Sequence, residues 1–308
     1  MKISAAYSEL TKDRNRFILD KLRDEIKDET AKRPPKKIAV LITGSDGRLE
    51  KGYWSKPEPI IIREKRDSEE AGRIKETLVK IRTRDPFMVA KFEFETKTLL
   101  DRDEIFAFAF CQRGRSYPQR VWDSQVVFGS DEYLERAKDR VVEELKTKTG
   151  QRIKSDIKDK KGEFRKAMIS GRQLRKGSTI TNYNLETGES FFEDFEGSEA
   201  RSFKHGPLRF VQFCIVDIIV SAVREAELEQ AKKFLKMLPT PTDEKMEYLY
   251  EAGKLRVESR VLEELKESYA YFLLGYHNSE REILQGTKVV PFDAKEARER
   301  IEFLTRTI

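Results

Sequence analysis

The clearest chemistry in this chain lies in a strand that runs into a glycine-rich turn, "VLITGSDGR" at residues 40–48. Gly44 and Gly47 allow the backbone to approach an anion closely, and the hydroxyl of Ser45 adds a hydrogen-bond donor. Arg48, from the same turn, can bind phosphate oxygens through two N–H groups at once. The spacing is neither that of a P-loop nor that of GxGxxG. The turn predicts a phosphate-binding site, with an ordinary turn after a strand as the alternative.

The continuation of this turn, "GSDGRLEKGYWSKPEPIII", resembles the start of the polymerase-β-like nucleotidyltransferase superfamily, in which GSxGRxE is followed by SDxD and a second strand. The resemblance is closest to the branch that contains the uridylyltransferase of a nitrogen-regulatory signal protein. Three further stretches, "VWDSQVVFGSDEYLERA", "FRKAMISGRQL" and "KHGPLRFVQF", resemble segments of that branch in the same order, and together the matches cover about residues 37–225.

This resemblance implies an activity and a nucleotide site. The protein would transfer a nucleoside monophosphate from an NTP to a hydroxyl of a protein, an RNA or a small molecule. The residues that the resemblance assigns to the nucleotide are Gly44, Ser45, Gly47, Arg48 and Lys56.

The metal motif of the family is incomplete in this chain. In the family, an Asp-x-Asp pair holds two Mg²⁺ (or Mn²⁺) ions that bridge the nucleotide phosphates and activate the attacking hydroxyl. Lys56 and Glu58 occupy the two positions here, so that a cation replaces one carboxylate. The resemblance places a third carboxylate on a neighbouring strand, where Glu93 and Glu95 share a face because strand side chains alternate. It implies Glu58, with Glu93 or Glu95, as catalytic metal ligands; a solvated strand face is the alternative for Glu93 and Glu95.

Other polar residues near these segments are weaker candidates. Asp123 is interpreted as a helix cap or as a carboxylate behind the metal ligands. Lys204, His205 and Arg209 lie in "KHGPLR" and are candidates for contact with phosphate or substrate. His277 is expected in a loop at the end of a helix, without a role.

The composition indicates a soluble chain whose surface carries both signs of charge. Of 308 residues, 38% are charged, the net charge is +6 and the mean hydropathy is −0.67. The charges are interleaved along the chain, which counts against a basic RNA-binding module. Cys111 and Cys214 have apolar neighbours and are interpreted as buried thiols rather than a zinc site or a disulfide. With no signal peptide and no apolar run of about 20 residues, we predict a cytoplasmic protein without membrane contact.

The succession of predicted elements indicates an α+β fold, in which a nucleotidyltransferase-like mixed β-sheet domain is followed by an α-helical bundle domain. Residues 1–36 are expected to form an N-terminal helix, and residues 37–150 the sheet domain. Residues 151–206 are predicted as a polar crossing segment with a hairpin. Apolar spacing of helical period predicts the bundle over residues 207–308.

The sequence leaves three functions open. The first is a nucleotidyltransferase. The second is a catalytically degenerate relative that binds a nucleotide or a partner without turnover, and the third is a basic RNA-binding or protein-interaction module. Position 56 distinguishes the first function from the second. Lys56 puts a positive charge where the family has a metal ligand, and that charge repels a metal ion.

Overall fold

The structure is a computed structural model, and it describes residues 3–29, 38–50, 59–63, 69–84, 95–98, 118–170, 181–183, 190–192, 204–285 and 294–308. The helices are α1 (Ile3–Glu29), α2 (Gly44–Gly47), α3 (Glu69–Arg84), α4 (Gln119–Trp122), α5 (Glu132–Leu145), α6 (Lys148–Ser170), α7 (Arg209–Glu225), α8 (Leu228–Met237), α9 (Thr242–Glu251), α10 (Ser259–Gln285) and α11 (Ala294–Thr307). The strands are β1 (Ile38–Ile42), β2 (Pro59–Arg63), β3 (Glu95–Thr98), β4 (Gln125–Gly129), β5 (Thr181–Tyr183) and β6 (Ser190–Phe192). A short irregular helical turn, Lys204–Leu208, leads into α7.

Helices dominate the described residues, so the prediction of a mixed β-sheet domain followed by a helical bundle is wrong. The strands of the main sheet have only four or five residues each. Several segments of polar composition are helices that bury only one apolar stripe. In α6, for example, Ile153, Ile157 and Met168 are buried while the rest of the surface is mostly charged. The proposed division of the chain into four parts stays a prediction.

The main sheet has the strand order β3-β2-β1-β4. β1 is antiparallel to both β2 and β4, whereas β2 is parallel to β3. The register pairs Ile42 with Pro59 and with Gln125, and Ile60 with Glu95. Hence β1 ends where β2, β3 and β4 begin. We call this the Ile42 end of the sheet.

The two faces of the sheet belong to two different hydrophobic cores, because alternate side chains of a strand point to opposite faces. Ala39, Leu41 and Ile60 join the large core built around the helices α5 to α11. Val40 and Ile42 join a smaller core with α1 and α3. The sheet therefore has no core of its own among the described residues; helices cover both of its faces.

Helix α1 connects the sheet to the C-terminal helices. It packs against β4 and α10, and Arg23 Nε donates to the carbonyl oxygen of Val127 at 3.2 Å. The buried ammonium of Lys12 lies 2.5 Å from the carboxylate of Asp243, in the first turn of α9. Helices from the N-terminal and the C-terminal halves of the chain thus meet beside the sheet.

Helix α7 is the central helix of the large core. Within the described ranges, one segment, Gly206–Glu225, is long and apolar enough to cross a membrane, and 72% of its apolar 18-residue window is buried inside the protein. It is accordingly a core helix here. Cys214 lies on it, 3% exposed, and burial raises the pKa of its thiol to about 12.

Candidate functional site

The Gly44–Gly47 turn stands at the Ile42 end of the sheet. Gly44 has φ +68°, a left-handed conformation that favours glycine, and no described atom lies within 4 Å of where its Cβ would be. The turn closes through hydrogen bonds from the Arg48 N–H to the Gly44 oxygen (3.0 Å) and from the Glu50 N–H to the Ser45 oxygen (2.8 Å). Gly44 thus faces open space and Ser45 is half-buried, and an anion site at these residues stays a prediction.

Gly47 is a glycine for a different reason. A Cβ at this position would lie 1.8 Å from the carbonyl oxygen of Asp123 and 2.8 Å from that of Ile42. The protein's own backbone therefore occupies the space that the sequence reasoning reserved for a phosphate. The turn therefore packs directly against the backbone of Asp123, two residues before β4 begins.

Arg48 is buried and bound to two carboxylates of the protein. Its Nε donates to Glu50 Oε2 at 2.8 Å, and its Nη1 donates to Asp123 Oδ2 at 2.8 Å. Burial by itself would lower the pKa of Arg48, but the negative charges of Glu50 and Asp123 raise it above the ordinary value. Asp123 is the C-cap residue of α4, where its N–H donates to the carbonyl oxygen of Gln119 at 2.8 Å, and its side chain pairs with Arg48. Arg48 anchors the turn to the sheet.

Glu50 accepts hydrogen bonds from several elements. Its Oε1 accepts from the N–H of Thr242, the first residue of α9, at 2.9 Å, which places a negative charge at a helix N-terminus. Its Oε2 accepts from the hydroxyl of Tyr269 at 2.8 Å and from Gln212 Nε2 at 3.3 Å. Burial tends to raise the pKa of Glu50, yet Arg48 and the Thr242 N–H lower it below 4.5. The carboxylate is therefore charged at neutral pH.

Lys245 completes the buried cluster from α9. Its Nζ lies 2.5 Å from Asp123 Oδ1 and also donates to the carbonyl oxygen of Thr240. Burial lowers the pKa of Lys245, and Asp123 offsets only part of this effect. With Arg48 and Glu50, the four charges sum to zero, as a buried cluster requires. We call these four residues the charge cluster.

His277 lies in α10, not in a loop as the sequence suggested, and it is fully buried. Its Nε2 is 3.0 Å from the carbonyl oxygen of Glu50, and its Nδ1 is 3.1 Å from the hydroxyl of Tyr7. An imidazole with its proton on Nε2 satisfies both contacts. His277 thus joins α1 and α10 to the segment that follows the turn.

Leu49, between the two charged residues of the turn, has φ +60°. This conformation costs a non-glycine residue about 1–2 kcal/mol. Two contacts compensate for it: the side chain is buried in the smaller core, and the carbonyl oxygen accepts from Asn15 Nδ2 at 2.9 Å. With Leu49 in this conformation, the side chains of Arg48 and Glu50 both lie in the charge cluster.

A cavity of about 20 Å³ lies beside the charge cluster, with room for about one water molecule. Gln119 and Trp122 line it, and Gln119 Oε1 and Trp122 Nε1 have no hydrogen-bond partner among the described residues. Arg209 also lines it, and its Nη1 donates to Gln212 Oε1 at 3.3 Å. The cavity is too small for a nucleotide, since small-molecule pockets have about 300 Å³ or more.

The remaining candidates from the sequence are only partly described. Lys56, Glu58 and Glu93 lie outside the described residues, and Glu95 is the first residue of β3, beside Ile60 of β2. Across the described ranges, no three His, Cys, Asp or Glu side chains are grouped so that they could hold a metal ion. A site for Mg²⁺ or Mn²⁺ therefore stays a prediction that depends on the carboxylates before β2 and β3.

The sequence reasoning missed Glu50, Lys245 and Tyr269. A signal for Glu50 was present, because it is the glutamate of the GSxGRxE pattern and follows a buried turn. Lys245 had no such signal, since it stands in "TDEKMEYL" like an ordinary exposed lysine.

Neither a known protein-family model nor a curated protein matches this chain. The resemblance to nucleotidyltransferases accordingly rests on the quoted motifs alone. The geometry of the Ile42 end was described without reference to those motifs.

Proposed function

We propose that the protein is a nucleotidyltransferase that binds an NTP with Mg²⁺ or Mn²⁺ at the Ile42 end of the sheet. It transfers the nucleoside monophosphate to a hydroxyl of a protein, an RNA or a small molecule. One observation carries the proposal: β1 ends in the glycine turn where β2, β3 and β4 begin. The segments that carry Gly44, Glu58 and Glu95 each lead into or out of this one end.

Each role follows from its place in the chain. Gly44 and Ser45, on the open side of the turn, contact the phosphates. Glu58, directly before β2, holds the metal ion together with Glu93 or Glu95, at the start of the parallel strand β3. The charge cluster holds the turn rigidly in position, so Arg48 acts on the nucleotide through the turn.

A second candidate function is nucleotide or partner binding without turnover. Two observations favour it: Lys56 stands where a metal carboxylate is expected, and the guanidinium of Arg48 is already paired with Glu50 and Asp123. With so few carboxylates, the free protein should bind Mg²⁺ weakly, and the nucleotide should bring the metal.

Two measurements on the full chain test the proposal. Titration calorimetry with each of the four NTPs, with and without Mg²⁺, measures binding. Labelling with α-³²P-NTPs, with and without a cell extract as the source of acceptors, measures transfer. We expect Mg²⁺-dependent binding of at least one NTP and transfer of its label. Glu58→Gln should abolish transfer, whereas Glu251→Gln, an exposed glutamate on α9, should retain it.

The outcomes separate the two candidates. Binding without label transfer, unchanged in Glu58→Gln, would select the non-catalytic function. A Lys56→Asp variant that gains transfer would support the same conclusion, since it restores the missing ligand. Absence of NTP binding would refute the transferase and the nucleotide-binding function and leave only the binding of a partner, and tight Mg²⁺ binding without nucleotide would contradict the incomplete metal site. We assign the protein to the cytoplasm, where NTPs and Mg²⁺ are present, and cell fractionation tests this location.

A further inference from the structure

Helix α6 carries most of the net charge of the protein. It has eight lysines or arginines and three aspartates or glutamates, a net charge of +5, while the whole chain has +6. The interleaving of charges along the sequence therefore hides a strong concentration in one element.

The positive charges of α6 lie on its solvent side. Ile153, Ile157 and Met168 form the buried stripe of the helix, and Lys160 and Lys161 pair with Glu163 and Asp217. The exposed cations, which we call the α6 basic surface, are Lys148, Arg152, Lys154, Lys158, Arg165 and Lys166. None of these six forms an ion pair with another described residue, and only two exposed acids, at positions 159 and 163, share the helix surface with them.

Three of these cations form a straight row. The row consists of Lys154, Lys158 and Arg165, whose spacings of four and seven residues place them on one side of the helix. It spans about 16 Å at about 1.5 Å per residue. Arg165 Nη2 donates to the carbonyl oxygen of Thr305 at 3.4 Å, and its charge has no carboxylate partner among the described residues. A linear row of unpaired cations fits a partner whose negative charges also recur along a line.

We propose that the α6 basic surface binds the phosphate backbone of RNA. The described aromatic ring of α6, Phe164, packs against Phe213 at 5.1 Å between ring centres, so it does not stack on bases. Recognition is therefore through phosphates, independent of base sequence and sensitive to salt. RNA binding by this surface does not require the transfer reaction proposed above, and either can hold without the other.

Fluorescence anisotropy with the full chain and a labelled single-stranded RNA tests the proposal. For about 20 nucleotides and about four phosphate contacts, the slope of log affinity against log KCl should be about −3, a loss of roughly 50-fold between about 50 and 200 mM. Lys154→Ala with Lys158→Ala should weaken binding and reduce the slope by about 0.7 per contact. The matched control is Lys233→Ala with Lys254→Ala, which removes the same charge from exposed lysines elsewhere and should leave affinity within about twofold.

Three results would overturn the proposal. One is no RNA binding at low salt up to about 100 μM protein. Another is an equal loss of affinity in the two double variants, which would show that only net charge matters. The third is stronger binding to polyglutamate or to vesicles of anionic phospholipid than to RNA, which would assign the surface to an acidic protein or to a membrane. Urea unfolding of each variant checks that the fold is retained.

Discussion

Replacing Asp123 by asparagine removes a carboxylate that Arg48 and Lys245 share. The side chains are almost fully buried: Arg48 is 8% exposed, Lys245 3% and Asp123 5%. The charge cluster is neutral in the wild type, and Asp123→Asn leaves it with one excess positive charge in the interior. We therefore expect a large loss of stability.

The size of this loss follows from the contacts. Removing one partner of a buried ion pair typically costs about 3–5 kcal/mol, because the remaining charge is buried without compensation. Asparagine keeps the volume and one acceptor oxygen, so the expected loss for Asp123→Asn is about 3 kcal/mol. Adding Lys245→Met restores neutrality, and the loss of the double variant should be smaller than the sum of the single losses by about 1–3 kcal/mol.

Urea unfolding measures these differences as shifts of the midpoint at constant slope. The matched control is Lys236→Met, which breaks an ion pair with Asp139 at 3.0 Å whose members are 36% and 29% exposed. Pairs of that kind contribute about 1 kcal/mol or less. A loss below about 1 kcal/mol for Asp123→Asn, or strict additivity with Lys245→Met, would refute the argument that the cluster is a coupled buried unit.

Three further predictions concern single residues. Gly47→Ala should lower the free energy of unfolding in urea by about 1–3 kcal/mol, since its Cβ would meet the backbone oxygen of Asp123; an unchanged midpoint would contradict the close packing. The pKa of Glu50 is lower in the folded protein than its ordinary 4.5, so its stabilising contribution is complete above that pH and is lost as the pH falls through the folded value. Unfolding curves recorded towards acid pH should therefore lose stability less steeply in Glu50→Gln than in the wild type, and parallel profiles would count against this role. In a Cys111→Ser chain, Cys214 should react with a thiol reagent only as fast as the protein opens, because burial raises its pKa to about 12; immediate reaction of the folded protein would disprove its burial.

Local sequence patterns predicted the glycine turn, because an apolar β-branched run that ends in glycine is recognisable without tertiary information. They did not predict the charge cluster. Arg48 and Asp123 are 75 residues apart, Asp123 and Lys245 are 122 apart, and Glu50 and Tyr269 are 219 apart. No spacing rule connects such positions, so Arg48 was interpreted as free to bind phosphate.

The fold class was misjudged for a related reason. Helix α6 has a narrow buried stripe and a highly charged surface. Its composition is therefore polar, and the sequence predicts a polar crossing segment in its place. The sequence predicts His277 in a loop at the end of a helix, whereas α10 continues to Gln285. Tertiary contacts with Tyr7 and Glu50, which the local pattern does not encode, stabilise the histidine inside the helix.

The contacts of Glu50 also set an order of events during synthesis on the ribosome. Its carboxylate accepts a hydrogen bond from Tyr269, a residue translated 219 positions later. At about 5–20 residues per second, this delay is roughly ten to forty seconds. Until Tyr269 emerges, the carboxylate of Glu50 lacks this hydrogen bond, and the segment after the Gly44–Gly47 turn lacks one of its contacts. A nascent chain that stops before α10 therefore has the glycine turn without its contacts to α10. The N-terminal sheet reaches its final packing only after the C-terminal helices have been synthesised.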